Sequence, residues 1–206
     1  MEMTDSLARI IMLAGVAVFA PVGIYHRLRS RTDERLDRLQ EGWPILLSLR
    51  LLASAYVVGL IAYLVEPGWM AWASYHLPNW ARWTGAGLGA LAGVLLVWTF
   101  RSLGHNLTDT VVTRRDATLI THGPYRWVRH PFYLAFAIAV AANTLITANA
   151  YLAIVGTAAF LVIVARTSIE ERKLIERFGG DYLDYMRHTG RFLPRIRTST
   201  TEAGAR

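Results

Sequence analysis

The segment from residue 121 to residue 133 concentrates side chains that could do chemistry between two long apolar regions. Its reactive and aromatic members are Tyr125, Arg126, Arg129, His130 and Tyr133. The residue before a proline is disfavoured in a helix, so Gly123-Pro124 predicts a turn and His130-Pro131 predicts a helix start. Guanidinium, imidazole and phenol groups in one such loop could orient an anion or move a proton. Arginines beside a membrane helix can equally be orientation signals, so the segment alone leaves both interpretations open.

Two further groups of polar side chains follow the second apolar region. Glu170 and Glu171 lie where that region ends, and the tail supplies the other group. The tail residues are Tyr182, Tyr185, Arg187 and Arg191. Ionisable groups at membrane depth are costly and are therefore usually paired or functional. The structural alternatives are an Arg166–Glu170 pair on a solvated helix start and interfacial anchoring by the tyrosines.

The composition is that of a membrane protein with room for one domain. Of 206 residues, 53% are hydrophobic and only 18% are charged, and the mean hydropathy is +0.29. The net charge of +7 comes from arginines that flank apolar segments, which makes nucleic-acid binding a poor explanation. The chain has no cysteine, which excludes disulfides and thiolate chemistry, and the six histidines lack metal-ligand spacing. We therefore expect a lipid bilayer as the partner, and neither nucleic acid nor metal.

Apolar runs predict the membrane topology. They predict spans at residues 7–25, 45–65 and 80–100, and a tight helical hairpin over 132–165 with polar interruptions at 143–144 and 147–149. The arginine-rich loop 26–44 predicts a cytoplasmic side there and an N-terminus outside, and the loop 66–79 has no lysine or arginine. The first span lacks a basic leader region, so we predict that it stays uncleaved.

The region after the hairpin is predicted to return to the cytoplasmic side. From residue 167 the pattern is amphipathic, which predicts a helix that continues the last span and stops at Gly179-Gly180. A short tyrosine-bearing helix follows, and residues 198–206 are expected to be disordered. We predict one domain over 1–197, whose part 101–195 forms the cofactor and catalytic region. The fold class is an all-α, multi-pass transmembrane helical bundle of about five spans, the last two a hairpin, with a cytoplasmic C-terminal helix.

A glycine pattern in the third predicted span is similar to a nucleotide-binding fingerprint. Gly85, Gly87 and Gly89 form a GxGxG, but no strand precedes it and no acidic residue follows at the required distance. Gly85, Gly89 and Gly93 recur every four residues and so line one helix face. The pattern therefore predicts close helix packing.

Several motifs occur in one order along the second half of the chain. They are Gly-Pro-Tyr-Arg-Trp-Val-Arg-His-Pro-Phe-Tyr at 123–133, Glu-Glu at 170–171, Phe-Gly at 178–179, Tyr-x-x-Tyr at 182–185 and Leu-Pro at 193–194. In this order, with a hydrophobic hairpin after the first, they resemble the isoprenylcysteine carboxyl methyltransferase family and its phospholipid-methyltransferase relatives. The resemblance covers residues 103–195. It implies a multi-pass helical enzyme that binds S-adenosyl-L-methionine at the cytoplasmic face, without a Rossmann domain, and methylates a lipid-like or prenylated acceptor from the bilayer.

The resemblance also implies roles for individual residues. Arg129 would orient the acceptor with Arg126 beside it, and Glu170 and Glu171 would hold the cationic cofactor, with Glu171 counted as catalytic. The other implied cofactor-pocket residues are Tyr125, His130, Pro131 and Tyr133. The implied acceptor-side residues of the tail are Tyr182, Tyr185, Arg187 and Arg191.

The chain departs from the family pattern at three places. Ala117 stands where many members have a histidine, and Ala135 stands where glycine is frequent. A tail arginine of the eukaryotic members falls near His188, so here Arg187 or Arg191 would replace it. These departures bear mainly on the acceptor.

The acceptor is predicted from charge. A carboxylate is already ionised near neutral pH and needs only an arginine to orient it, so the arginine-rich loop favours a carboxylate acceptor. A phospholipid amine or a thiol must lose a proton and would need His130, a tyrosine or a glutamate as base. Amine or thiol methylation is therefore the alternative. More distant alternatives are an NADPH-dependent, sterol-reductase-like enzyme and a non-enzymatic membrane adaptor.

Overall fold

α-Helices make up most of this computed structural model, which describes residues 2–29, 43–104 and 118–195. They are α1 Asp5–Arg29, α2 Trp43–Val65, α3 Asn79–Leu103, α4 Pro131–Thr147, α5 Ala150–Phe178 and α6 Gly180–His188. Two short 3-10 helices, Pro67–Ala73 and Gly123–Arg126, lie before α3 and before α4. Among the described residues the only β-type pairings are isolated bridges. The predicted all-α class is confirmed.

Four of the helices are long and apolar enough to cross a membrane by length and composition, namely α1, α2, α3 and α5. α4 is apolar but has only 17 residues, which corresponds to about 25 Å of helix. Large apolar side chains such as Ile10, Val58 and Ile154 are more than half exposed, as expected for surfaces that face lipid. The chain is a multi-pass integral membrane bundle.

Small residues set the packing of α3, as its glycine pattern predicts. A Cβ atom on Gly85 would lie 2.9 Å from the Ala142 carbonyl oxygen, so α3 approaches the backbone of α4 there. Gly89 also faces Ala142, whereas Gly93 packs directly against the Phe19 ring of α1. Gly87 has no neighbour within 4 Å. The face of Gly85, Gly89 and Gly93 is therefore a packing face shared between two neighbouring helices.

An arginine clamp holds the helix ends that lie opposite the 121–133 loop. The Arg82 guanidinium pairs with Asp5 at 2.8 Å and donates to the carbonyls of Met3 (2.7 Å) and Ile146 (3.0 Å). Arg9 donates to two carbonyls at the end of α2. The starts of α1 and α3 and the ends of α2 and α4 therefore lie together. The start of α4 and the end of α5 lie at the other end of the bundle.

The predicted hairpin is present, with one interruption instead of two. α4 runs unbroken through Asn143 because its side-chain amide donates to the Tyr56 hydroxyl at 2.9 Å, which satisfies the polar group inside the bundle. The predicted break at 143–144 is therefore wrong. The real break comes at Ala148, with φ 46°, and at Asn149, whose side chain caps α5 at the Leu152 amide.

α5 is one continuous helix of 29 residues that joins the last apolar segment to the predicted amphipathic helix. It ends at Gly179, where φ is 54°, and α6 follows at once. The predicted stop and the tyrosine-bearing helix are confirmed. Several predictions lie outside the described residues, namely most of the arginine loop 26–44, Ala117 and the tail 198–206.

Candidate functional site

The loop before α4 is shaped by a tight turn. Gly123 has φ 61°, and a Cβ atom there would collide with the Ser102 side chain of α3, so this position requires glycine. The turn continues into the 3-10 helix, and Pro131 then occupies the first turn of α4. This arrangement confirms the predicted turn and helix start. It delivers Arg129 and His130 to the end of the bundle, immediately ahead of a buried proline.

A C-terminal strap, which we define as residues 189–195, pairs with this loop. The Arg129 amide donates to the Gly190 carbonyl at 2.8 Å, and the His130 amide donates to the Arg191 carbonyl at 3.1 Å. In return the Gly190 amide donates to the Trp127 carbonyl at 3.2 Å. These three backbone bonds tie the end of the described chain to the start of α4.

Glu171 is the centre of a buried charge cluster. The residue is 3% exposed, and its carboxylate accepts from Arg129 Nε at 2.9 Å. The other oxygen pairs with the Arg191 guanidinium, and His130 Nε2 lies 3.3 Å from Oε1. The side chain of Arg129 also donates to the carbonyls of Met186 and Thr189. α5, the loop and the strap therefore meet at this one carboxylate.

Glu170 has different surroundings from its neighbour. The Tyr133 hydroxyl donates to Glu170 Oε2 at 2.6 Å, and His130 Nδ1 lies 3.9 Å from Oε1. The His130 ring stacks on Tyr133 with centroids 5.3 Å apart and an interplanar angle of 5°. The Glu170 side chain is 24% exposed, against 4% for Glu171. His130 is thus the side chain that lies between the two glutamates.

The tyrosines of the site are neutral phenols held by packing. Burial, followed by the charge of Glu170, raises the pKa of Tyr125 well above its ordinary value. Burial also raises the pKa of Tyr182, and it raises that of Tyr185 to about 12. The Tyr185 hydroxyl donates to the Tyr125 carbonyl at 2.6 Å. None of these phenols can therefore act as a base near neutral pH.

Tyr182 carries a buried hydroxyl that needs a partner. The residue is 1% exposed, and its hydroxyl has no hydrogen-bond partner among the described residues. A buried polar atom in this condition is costly unless something else completes it. Its pKa is raised by burial and then by the charge of Glu171, which the charge of Arg129 partly offsets.

Two of the predicted site residues lie apart from the cluster. The Arg126 guanidinium stacks over the Trp127 ring at 4.0 Å from its centroid. Arg187 is 77% exposed and lies 4.0 Å from Asp184. Arg126 lines a cavity of about 450 Å³ with Leu119, Thr121, Asp181, Asp184, Tyr185, His188 and Thr189. Of the two tail arginines, the structure therefore brings Arg191 to the cluster and leaves Arg187 at the surface.

The apolar and backbone parts of the site are not marked by the sequence motifs. The Phe192 ring lies 5.9 Å from the His130 ring and 6.4 Å from that of Phe160 on α5. The Thr189 carbonyl accepts from Arg129. A Cβ atom on Gly190 would collide with the Leu193 carbonyl. The signal available was Phe192 between Arg191 and Pro194, which marks an ordered segment and not a solvated tail.

Comparisons with known proteins find one family model and several methyltransferases that are similar to parts of this chain. The family model described as the isoprenylcysteine carboxyl methyltransferase (ICMT) family matches residues 86–176. The chain is 37% identical over 73 residues to a methanethiol S-methyltransferase of Mycobacterium tuberculosis, covering 35% of this chain and 29% of that protein. It is 30% identical over 121 residues to the protein-S-isoprenylcysteine O-methyltransferase of Tribolium castaneum, covering 57% of this chain and 43% of that protein. These alignments span less than half of each relative.

A solved structure supports the same fold. The chain is similar, with a TM-score of 0.55 and 21% sequence identity, to a eukaryotic intramembrane Ras methyltransferase, isoprenylcysteine carboxyl methyltransferase. The match covers 90% of this chain and 64% of the solved one. The matched family segment contains the loop, the hairpin and both glutamates of the cluster. Over residues 86–176 the chain therefore resembles the isoprenylcysteine carboxyl methyltransferase family, and it shares the fold of the solved member.

Proposed function

We propose that this protein is an integral membrane methyltransferase that uses S-adenosyl-L-methionine to methylate an amphiphilic acceptor, most directly a carboxylate. The observation that carries the proposal is the cluster at the end of α5, where Glu170 and Glu171 meet Arg129, His130 and Arg191. This cluster lies at the end of an apolar bundle, beside the start of α4 and the end of α5, and in this proposal a lipid-like acceptor reaches it from the membrane. The arginine-rich loops favour a cytoplasmic location for it, with the N-terminus outside.

The residues present suit such a cofactor. Its charged end is cationic at the sulfonium and the ammonium, and Glu170 offers a carboxylate whose contacts are a tyrosine hydroxyl and an imidazole. The buried Tyr182 hydroxyl, which lacks a partner among the described residues, can hydrogen-bond to a polar atom of a bound molecule. The Glu170 carboxylate can pair with a cationic group, and the Tyr182 hydroxyl can hydrogen-bond to a polar atom. Together these two side chains suit a small zwitterionic group.

The protein's part in the reaction is mainly alignment. S-Adenosyl-L-methionine supplies an activated methyl group on a sulfonium, whose departure leaves a neutral thioether. Holding an acceptor in line at near-attack distance contributes most of what the protein can add. The strap and Phe192 cover the His130 side of the site and exclude water there.

A carboxylate acceptor fits the charges that stay accessible. Arg129 is 8% exposed and engaged with Glu171 and two carbonyls, whereas the Arg191 side chain is 40% exposed. Arg191 is therefore the guanidinium with room to orient an incoming anion, with Arg129 supporting the cluster from behind. A carboxylate has no proton to lose, so this reaction needs no base.

A thiol acceptor is the second candidate, because one relative at 37% identity is named a methanethiol S-methyltransferase. A thiol must lose a proton before it attacks. Since the pKa values of Tyr125, Tyr182 and Tyr185 are raised, the base would be Glu170 or His130. A thiol acceptor therefore needs Glu170 or His130 as a base, whereas a carboxylate acceptor needs neither as a base.

The test uses the purified protein in detergent, with Glu176→Gln as control because Glu176 is exposed and pairs with Lys173 at the surface. Calorimetry should show binding of S-adenosyl-L-methionine, and NADPH should not raise the Tm. Methyl-labelled cofactor is then offered with an S-farnesylcysteine derivative or with methanethiol. A carboxyl methyl ester releases labelled methanol in base, whereas a methyl thioether does not. Folded protein that neither binds the cofactor nor labels either acceptor would refute the proposal.

A further inference from the structure

Adjacent glutamates on one helix have unequal electrostatic surroundings. Glu171 is 4% exposed at the side chain and contacts the guanidinium groups of both Arg129 and Arg191. Glu170 is six times more exposed and contacts a neutral hydroxyl of Tyr133. His130 lies closer to Glu171, at 3.3 Å, than to Glu170, at 3.9 Å.

The charge balance around Glu171 leaves no attraction for a further cation. One carboxylate faces two permanently charged guanidinium groups, so the group formed by Glu171, Arg129 and Arg191 is net positive. A sulfonium or ammonium would have to displace one of them. Arg191 is tethered to the site by backbone bonds of the strap to Arg129 and His130, which gives it a high effective concentration against any free cation.

The Glu170 carboxylate remains available to a cationic group of a ligand. Its hydrogen bond from Tyr133 stabilises the carboxylate without neutralising it. The exposed fraction of the Glu170 side chain leaves a face on which a cation can sit.

We infer that the two glutamates have different roles in the site. Glu170 is the counter-ion of the cofactor's cationic end, and Glu171 is a positioning residue that holds the C-terminal strap in place through Arg191. This inference rests on the proposed function and deepens it. It differs from the assignment that the family resemblance implies, in which both glutamates hold the cofactor.

The strap assignment is tested without any ligand, by hydrogen exchange of the strap and loop amides. These are the Arg129, His130 and Gly190 amides, which make the three bonds between the two segments. Glu171→Gln should increase their exchange by about tenfold or more, because losing one charged hydrogen bond is worth at least that factor. Glu170→Gln, the matched control, should leave the exchange unchanged.

Arg191→Gln provides a second variant that keeps Glu171 paired with Arg129 and so protects the core of the cluster. It should reproduce the faster exchange caused by Glu171→Gln. Faster exchange in Glu170→Gln, or protected amides in both Glu171→Gln and Arg191→Gln, would overturn the strap assignment.

The cofactor assignment is tested by calorimetry and kinetics with S-adenosyl-L-methionine. Glu170→Gln should raise its Kd about ten- to hundredfold, as expected for loss of a charged partner. Glu171→Gln should change Kd by less than about threefold but lower kcat at saturating cofactor, since the misplaced strap no longer orients the acceptor. Because a lower fraction of competent protein would also lower the apparent kcat, kcat is normalised to the number of binding sites that calorimetry measures. A merely structural defect then leaves both constants unchanged.

The opposite pattern, with Kd raised in Glu171→Gln and unchanged in Glu170→Gln, would overturn the division. Failure of the wild-type protein to bind S-adenosyl-L-methionine would refute the proposed function and the Glu170 assignment together. The exchange experiment would still decide the role of Glu171 in that case, so the two failures are distinguishable.

Discussion

Replacing Arg129 by alanine should destabilise the protein, because this side chain joins three parts of it. Its guanidinium pairs with Glu171 on α5 and donates to the carbonyls of Met186 and Thr189, at the end of α6 and the start of the strap. The side chain is 8% exposed, so water cannot replace these contacts. Arg129→Ala removes all of them at once.

The size of the loss follows from the partners that stay behind. Breaking a buried ion pair by removing one partner costs about 3–5 kcal/mol. Glu171 retains Arg191 as a partner, so we expect the lower end of that range, about 3 kcal/mol. For a chain of this length, that corresponds to a fall in Tm of roughly 6–12 °C.

The assay is thermal unfolding in detergent, monitored by tryptophan fluorescence. Arg129→Lys should recover about half of the lost Tm, because one ammonium can pair with Glu171 but cannot also donate to the carbonyls of Met186 and Thr189. Glu176→Gln should shift Tm by no more than about 2 °C, as expected for an exposed pair. An unchanged Tm in Arg129→Ala, with a raised KM for the acceptor, would refute this reasoning. It would make Arg129 the acceptor-orienting residue that the family resemblance implies.

Three further predictions concern packing, titration and orientation. Gly85→Leu should lower the yield of folded protein and its Tm by size-exclusion and thermal assays, because the side chain meets the α4 backbone, whereas Gly87→Leu faces open space and should have little effect. Stability should be fully present below pH 10 and fall as pH rises from 10 toward about 12, because burial raises the pKa of Tyr185 to about 12 and the unfolded phenol ionises first. In Tyr185→Phe, Tm measured against pH should fall less steeply over that interval. The chain has no cysteine, so an impermeant maleimide should label Ala71→Cys on intact cells and Arg187→Cys only after permeabilisation, and the reverse labelling would contradict the N-outside orientation.

The fold was predictable because its signals are local. Run length and composition identify membrane helices, and prolines and glycines mark their ends, as at Pro131 and Gly179. The break predicted at Asn143 failed for a non-local reason. Its partner Tyr56 lies on another helix, 87 positions away, and no local pattern announces that pairing.

The site was predictable as a set of residues but not as an arrangement. The motifs identified both glutamates, yet adjacent identical side chains carry no sequence signal that tells them apart. Their difference arises from Arg191, which is 20 positions beyond Glu171 and reaches it only because the strap bonds to the loop before α4. The sequence could not distinguish Arg187 from Arg191 either. Arg187 lies in the last turn of α6 and Arg191 follows shortly after it, so only the folded strap shows which of them reaches Glu171.

The tip of the α4–α5 hairpin bears on the hydrophobic match between α4 and a lipid bilayer. α4 is about 25 Å long, shorter than the roughly 30 Å of a hydrocarbon core, and such a helix alone would favour local thinning of the membrane. Here the tip does not need water. Asn149 is fully buried and donates to the Met70 carbonyl, while the Ala148 carbonyl accepts from the Tyr75 amide. The 3-10 helix Pro67–Ala73 and the residues just after it thus replace interfacial water above a short helix. Because the polar groups of the hairpin tip are satisfied within the protein, a short α4 can end below the membrane surface without leaving them unpaired.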